Sequence, residues 1–259
     1  MQITSALTYA TQRAPLDAQI SGILANSNAT PVDFRVMAAV VPHSDDLRGA
    51  ALAADVYRSF PDGNIDTVIS VAPNRGEEFK RITVCSLDSY LSPLGDVVVN
   101  DGVRNELCDE DDDIFLDDRG HFHRAGLDVN LPYLQKILGD FSVVPLVMGA
   151  ETPEFCRELG SAVGEIMANQ TTLVVACMDI IEATERGVDQ FQQHLTNLDI
   201  PAMMALLNQE TDIRIEGKGP LLVAMMASVH RRANQVSWCG IDAPSTDGPG
   251  FAGALMGRH

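Results

Sequence analysis

Residues 34–73 read FRVMAAVVPHSDDLRGAALAADVYRSFPDGNIDTVISVAP. Two apolar runs, 34–41 and 65–72, each end at a proline, Pro42 and Pro73. Short runs of this kind predict strands buried on both faces, as in a parallel sheet. Between them, residues 47–60 are rich in alanine and read as a helix, stopped by Pro61-Asp62-Gly63. Strand, polar turn, helix and strand within about 40 residues form a βαβ unit, which predicts parallel pairing.

The same reading extends along the chain. Residues 15–26 carry apolar positions at helical spacing behind Pro15, and 129–138 read as helical after Pro132. Residues 142–148 and 172–178 are further buried strands, with a helix predicted over 153–169 between them. Helices follow at 185–195, 201–209 and 219–230, then strands at 235–239 and 250–256. Residues 82–120 differ. They hold short strand-like pieces at 82–85 and 96–99 among turn residues, and read as an excursion from the sheet ending in an acidic loop. No repeat or low-complexity linker divides the 259 residues, so a single α/β domain over 1–259 with a mostly parallel central sheet is expected.

Charge and cysteine usage exclude several classes. Lys plus Arg number 18 and Asp plus Glu 36, a net charge of −18, which argues against nucleic acid or anionic membrane as a partner. Asp109 to Asp113, with Asp117 and Asp118, concentrate much of the excess. The alternating aspartates there meet Ile114 where a calcium loop needs glycine, so the run reads as a solvated loop. His121 and His123 flank it and read as loop histidines. The five cysteines are scattered without CxxC spacing, which predicts neither a disulfide framework nor a zinc knuckle and fits a cytoplasmic chain. The N-terminus lacks a signal-peptide pattern, and no apolar run reaches membrane-spanning length. Phosphate-loop, dinucleotide, nucleophile-elbow and HExxH motifs are absent.

The candidate site comes from the strand ends, because ligands in such folds sit at the carboxyl edge of the sheet. The first strand ends in Pro42-His43-Ser44-Asp45-Asp46, and the second in Pro73-Asn74-Arg75-Gly76. The strand at 172–178 ends in Asp179, with Glu182 expected one helical turn later. A fourth short apolar piece ends in Glu216-Gly217-Lys218-Gly219-Pro220. One His, one Arg and several carboxylates thus converge, a set suited to acid–base work or to a divalent cation. Each residue also has an ordinary structural reading: Asp45 as a helix cap, Asp179 as the cap of a following helix, Glu182 as a first-turn acid, Glu216 as a surface acid, Arg75 as an ion-pair partner.

The order of these motifs resembles the Memo-like family, known in bacteria and archaea as AmmeMemoRadiSam system protein B. The stretch SALTYATQRAPLDAQISGIL resembles the family's opening segment, with Tyr9-Ala10 where Tyr-Pro is usual. VVPHSDDLRGAALAADVYRSF resembles its APHAGYxYSGxxAAxAY segment, and VISVAPNRGEEF its ILGPNHxG. SPLGDVVVND, RAGLDVNLPYLQKIL, VVPLVMG, LVVACMDIIEAT, RIEGKGPLLVAMMA and GFAGALM follow in the family's order.

The resemblance implies the fold of class III extradiol dioxygenases, which are non-haem iron enzymes, and a vestibule that collects metal ligands. Carried over by position, the first histidine is retained as His43 and the aspartate as Asp179. The second histidine is replaced by Arg75, the histidine of the EHS segment by Ala125, the histidine beside the aspartate by Glu182, and the late cysteine by Glu216. The dioxygenases carry a glutamate at the place of Glu216. Arg75 is a permanent cation without a lone pair and cannot ligate metal.

The expected function is therefore a Memo-like protein with a diverged metal site, binding a small molecule or a protein partner and lacking dioxygenase activity. His43, Asp179 and Glu182 are its candidate acid–base residues, lined by Asn74, Arg75 and Glu216, with either no cofactor or a divalent iron, copper or zinc ion. The alternative is a metal-dependent enzyme, dioxygenase-like or hydrolytic. There His43 and Glu216 are ligands, Asp45 or Asp179 is a third, and Glu182 is the acid–base group. A metal-free hydrolase using His43 as base lacks a nucleophile motif.

Overall fold

The computed structural model describes residues 9–61, 63–76, 78–110, 113–122 and 126–259. In chain order the elements are α1 (Arg13–Ala25), β1 (Arg35–Pro42), α2 (Leu47–Arg58), β2 (Thr67–Pro73), β3 (Ile82–Val84), β4 (Ser89–Tyr90) and β5 (Val97–Val98). Then come α3 (Asp101–Glu110), β6 (Ile114–Leu116), α4 (Leu127–Ile137), β7 (Ser142–Met148), α5 (Pro153–Asn169) and β8 (Thr172–Ala183). The chain closes with α6 (Glu185–Thr196), α7 (Ile200–Gln209), β9 (Ile213–Glu216), α8 (Lys218–His230), β10 (Gln235–Asp242) and β11 (Phe251–Arg258).

The main sheet runs β10-β11-β1-β8-β2-β7-β3-β6, with β9 added to β8. Its centre, β1-β8-β2-β7, is parallel throughout, while β11 joins β1 and β3 joins β7 antiparallel. The βαβ unit of residues 34–73 is present, but β8 is inserted between its two strands. That insertion brings the carboxyl ends of β1, β8 and β2 side by side. These three strands deliver His43, Asp179 and Arg75.

Strand alternation divides the core between the two faces of the sheet. Val40, Ile69, Val144 and Val174 point to the face covered by α5 and α8. Val41, Val68, Val143 and Val175 point to the face covered by α1, α2 and α4. With both faces covered, β1 and β2 have no solvent side, which is why their sequences are apolar without alternation. The alanines of α2 let that helix approach the sheet closely, and its buried stripe includes Ala50, Ala53, Ala54 and Tyr57. Among the described residues no helix is long and apolar enough to cross a membrane.

The structure corrects four local expectations. The helix cap of α2 is Asp46, whose carboxylate accepts the Arg48 N–H at 2.8 Å, and not Asp45. Helix α4 begins at Leu127, five residues before Pro132. Buried Leu127, Leu131 and Leu134 hold it in place although the proline ring offers no N–H. Residues 101–110, read as part of an excursion, form α3, whose Val103 and Leu107 are buried in the core. Of the acidic run, 111 and 112 lie outside the described residues, as do His123 and Ala125.

The largest correction concerns β8. It does not end at Asp179 to start a helix. It continues to Ala183, pairing antiparallel with β9, so Asp179 faces Glu216 and Glu182 faces Arg214 across the ladder. The β-branched Ile180 and Ile181 favour extension, and the Ile180 N–H and C=O are both taken by Gly250.

Candidate functional site

Asp179 is the centre of the strand-end cluster and is fully buried. Its Oδ1 accepts the backbone N–H of His43 at 2.8 Å and that of Ser44 at 3.4 Å. The Ser44 hydroxyl donates to Oδ2, which also accepts Arg75 Nη2 at 3.1 Å. Burial pushes the Asp179 carboxyl above its ordinary value. Ser44, the His43 N–H and Arg75 pull the other way, and neighbouring Glu216 adds to the rise. A buried carboxylate is tolerable here because four donors reach it.

Arg75 joins the second carboxylate. Its Nε donates to Glu216 Oε1 at 2.9 Å and its Nη2 to Oε2 at 2.5 Å, a two-pronged grip that matches the planar fork of a guanidinium. The side chains are 31% exposed for Arg75 and 26% for Glu216, so the cluster closes the pocket from the solvent side. Gly217 makes this placement possible. It sits at φ 90°, and a Cβ there would lie 2.4 Å from the Cys177 carbonyl oxygen. Only glycine lets the chain turn from β9 into α8 this close to β8.

His43 is 1% exposed, and neither ring nitrogen has a hydrogen-bond partner among the described residues. Burial first, then the charge of Arg75, holds its imidazole well below the ordinary value of 6.5, so the ring is neutral. Its backbone is fixed from both sides: the N–H goes to Asp179, and the carbonyl accepts the Gly126 N–H at 2.8 Å. Asn130, on α4, donates to the carbonyls of Pro42 and Gly126 and accepts from the Tyr57 hydroxyl at 3.1 Å. A single buried amide thus ties the His43 strand end to the loop that covers it.

The remaining sequence-derived candidates fall in different places. Asn74 shapes the turn after β2: its Oδ1 accepts the Gly76 N–H at 2.9 Å and its backbone N–H reaches Met148. Glu182 lies away from the cluster. Its carboxylate accepts Arg214 Nη2 at 2.5 Å and its side chain is 73% exposed, because the strand carries it past the pocket. Asp45 lines a separate, larger cavity beside α1 and α4. The structure brings together His43, Arg75, Asp179 and Glu216, and leaves Glu182 outside.

Several pocket residues escaped the sequence reading. Ser44 is adjacent to His43 in the same loop and was legible as a possible donor. His121, read as a loop histidine, is buried and lines the His43 pocket, with its Nε2 3.4 Å from the Thr83 hydroxyl. Tyr90 and Phe122, which also line it, come from segments whose pattern carries no signal of function.

The donor set does not suit the iron, copper or zinc that the family resemblance implies. Asp179 and Glu216 are both engaged by a guanidinium, which offers a metal nothing and repels it. Among the described residues no group of three or more His, Cys, Asp or Glu side chains is arranged to hold a metal ion. A catalytic non-haem iron needs two histidines and a carboxylate on one face.

Comparison with known proteins matches residues 4–243 to the family described as Memo-like protein. A MEMO1 family protein of Sulfolobus acidocaldarius is 26% identical over 200 residues, covering 72% of this chain and 69% of that one. A MEMO1 family protein of Sulfurisphaera tokodaii is 23% identical over 228 residues, covering 84% and 79%. The crystal structure of uncharacterized protein JW3007 from Escherichia coli K12 shares the fold. Its TM-score is 0.57 at 12% identity, over 86% of this chain and 99% of that one.

Proposed function

The chain belongs to the Memo-like family, and from that premise we propose that its strand-end pocket carries the Arg75 guanidinium in place of a metal ion's charge. The pocket then serves to bind a small molecule or a partner and not to activate oxygen. One observation carries this reading: Arg75 donates to Asp179 and Glu216 together, at the position where the family resemblance places a histidine ligand. A guanidinium pairs with both carboxylates at once and offsets part of their charge, as a metal ion would, without open coordination positions for a substrate. None of the five cysteines is in a disulfide, which supports a cytoplasmic setting.

The test is elemental analysis of the chain purified without chelators, beside a His43→Ala variant. The reading expects iron, copper and zinc far below one ion per chain in both. Near one ion per chain in the wild type, lost in His43→Ala, overturns it and favours the metal-dependent enzyme.

A further inference from the structure

Two cavities meet at one aromatic side chain. The smaller, about 20 Å³, lies against His43 and is lined by Ser70, Arg75, Tyr90, His121 and Phe122. It has room for little more than one water-sized group. The larger, about 220 Å³, is walled mainly by apolar side chains, among them Leu16, Leu91, Val129 and Leu131, with Asp45 and Asp128 at its edge, and also by Phe122. An apolar cavity of about 150 Å³ accepts benzene, so this one takes a single ring with a short substituent. Phe122 stands between them, stacked on Tyr90 at 4.9 Å and 22°. Its φ of +63° is a backbone conformation that bulky residues rarely adopt.

We propose that the two cavities form one site for a small uncharged molecule with an apolar body and a single hydroxyl or carbonyl group, the body beside Phe122 and the polar group on His43. The proposal rests on the metal-free reading of the pocket given above. His43 supplies the recognition. A neutral imidazole offers one donor and one acceptor, and both its nitrogens are buried and unpartnered among the described residues. Buried polar atoms left unmatched are costly, so a group that hydrogen-bonds there is favoured over a purely apolar one. The charge of the polar head follows from Arg75, whose guanidinium lines the smaller cavity where that head sits. A cationic head would be repelled by it. An anionic head would be a third negative group against a guanidinium already shared by Asp179 and Glu216.

The test uses the full chain, treated with chelator, with its metal content measured on the same sample. Benzyl alcohol is titrated against toluene, benzoate and benzylamine, following the ring ¹⁵N resonances of His43, assigned by their loss in His43→Gln. The expected result is a saturable shift of the His43 signals with benzyl alcohol. Binding should be at least tenfold weaker for the other three probes, and for benzyl alcohol with Phe122→Trp, which fills the junction. Equal binding of benzoate or benzylamine, or no shift at saturating benzyl alcohol in a metal-free sample, refutes this inference alone. A chelator-resistant metal on the sample refutes it together with the reading on which it rests.

Discussion

Asp179 and Glu216 stand directly opposite each other in the antiparallel β8–β9 ladder, and one guanidinium lies on both. Like charges in that relation destabilise a sheet unless something neutralises them. Arg75 reaches across from the end of β2, so the pairing of β9 with β8 depends on a side chain from a third strand. The cluster is therefore a structural element as well as the solvent-side edge of the pocket.

Removing the guanidinium should be costly. Arg75→Ala leaves Asp179 buried with a carboxylate opposite it, and the expected loss is roughly 3 kcal/mol, the low end for breaking a buried pair. Glu216, at 26% exposure, keeps some access to water, which argues for the low end. For a chain of this size that corresponds to a fall in Tm of about 6–12 °C. Arg75→Ala combined with Glu216→Gln should recover part of it, since the second negative charge is then gone. Thermal and urea unfolding of the two variants check this, and equal losses in both would show that the charges do not interact.

Arg75→His tests the metal argument from the other side. The substitution sets a second imidazole beside His43 and Glu216, the two-histidine, one-carboxylate set that iron accepts. The variant should gain affinity for Fe²⁺ or Zn²⁺ and be stabilised by them, by about 2.7 kcal/mol at a hundredfold excess over Kd. Isothermal titration and melting with added metal measure both. A folded variant with no gain would show that the site has diverged at more than this position.

His43 makes stability depend on pH in a definite direction. Its folded value lies below its ordinary 6.5, so the unfolded chain takes up a proton below that pH that the folded chain refuses. Stability therefore falls as the pH drops below 6.5, by up to about 1.4 kcal/mol per pH unit, and His43 contributes no pH dependence above it. Asp179, raised by burial, acts in the opposite sense as its proton is lost with rising pH. Comparing wild type with His43→Gln between about pH 5 and 7 isolates the histidine: the variant's curve should be flatter below pH 6.5. Parallel curves would mean that the imidazole is not held neutral.

Gly126 should not tolerate a side chain. Its φ is +59°, and a Cβ there would lie 2.7 Å from Ala72 Cβ and 3.5 Å from the His43 ring. Gly126→Ala should cost about 1–3 kcal/mol through backbone strain and the clash with Ala72, and it sets a methyl against the His43 ring, which should shift the ring resonances. Urea denaturation gives the first and the His43 ring resonances the second. An unshifted ring in a destabilised variant would confine the effect to the backbone.

Glu182→Gln is the matching negative. The pair with Arg214 is exposed on both sides, so the variant should melt with the wild type and leave the His43 resonances unmoved. A shift at His43 would return Glu182 to the pocket.

What the sequence determined by itself was the layered architecture. Apolar runs without alternation, as at 36–41 and 68–72, belong to strands covered on both faces, and an alanine-rich helix between them can only pack on such a sheet. Those are local patterns, and β1, β2 and β7 were legible from them to within a residue or two, while β8 was read five residues short. The ends of β1, β2 and β9 were legible as well, because prolines and polar clusters mark them, and the polar residues there and at Asp179 brought His43, Arg75, Asp179 and Glu216 forward together, although β8 runs on past Asp179.

The tertiary structure alone decided the rest. Nothing local announces that β8 inserts between β1 and β2, or that it runs on past Asp179 to pair with β9. That extension depends on partners 30 to 37 residues away in sequence, and it turned Glu182 from a pocket residue into a surface one. His121, Tyr90 and Phe122 reached the pocket by the same route, and Asn130 reached the Pro42 carbonyl beside it. Each sits in a segment whose own pattern reports burial or turn chemistry, and its meeting with His43 is a long-range contact that no periodicity of 2.0 or 3.6 encodes.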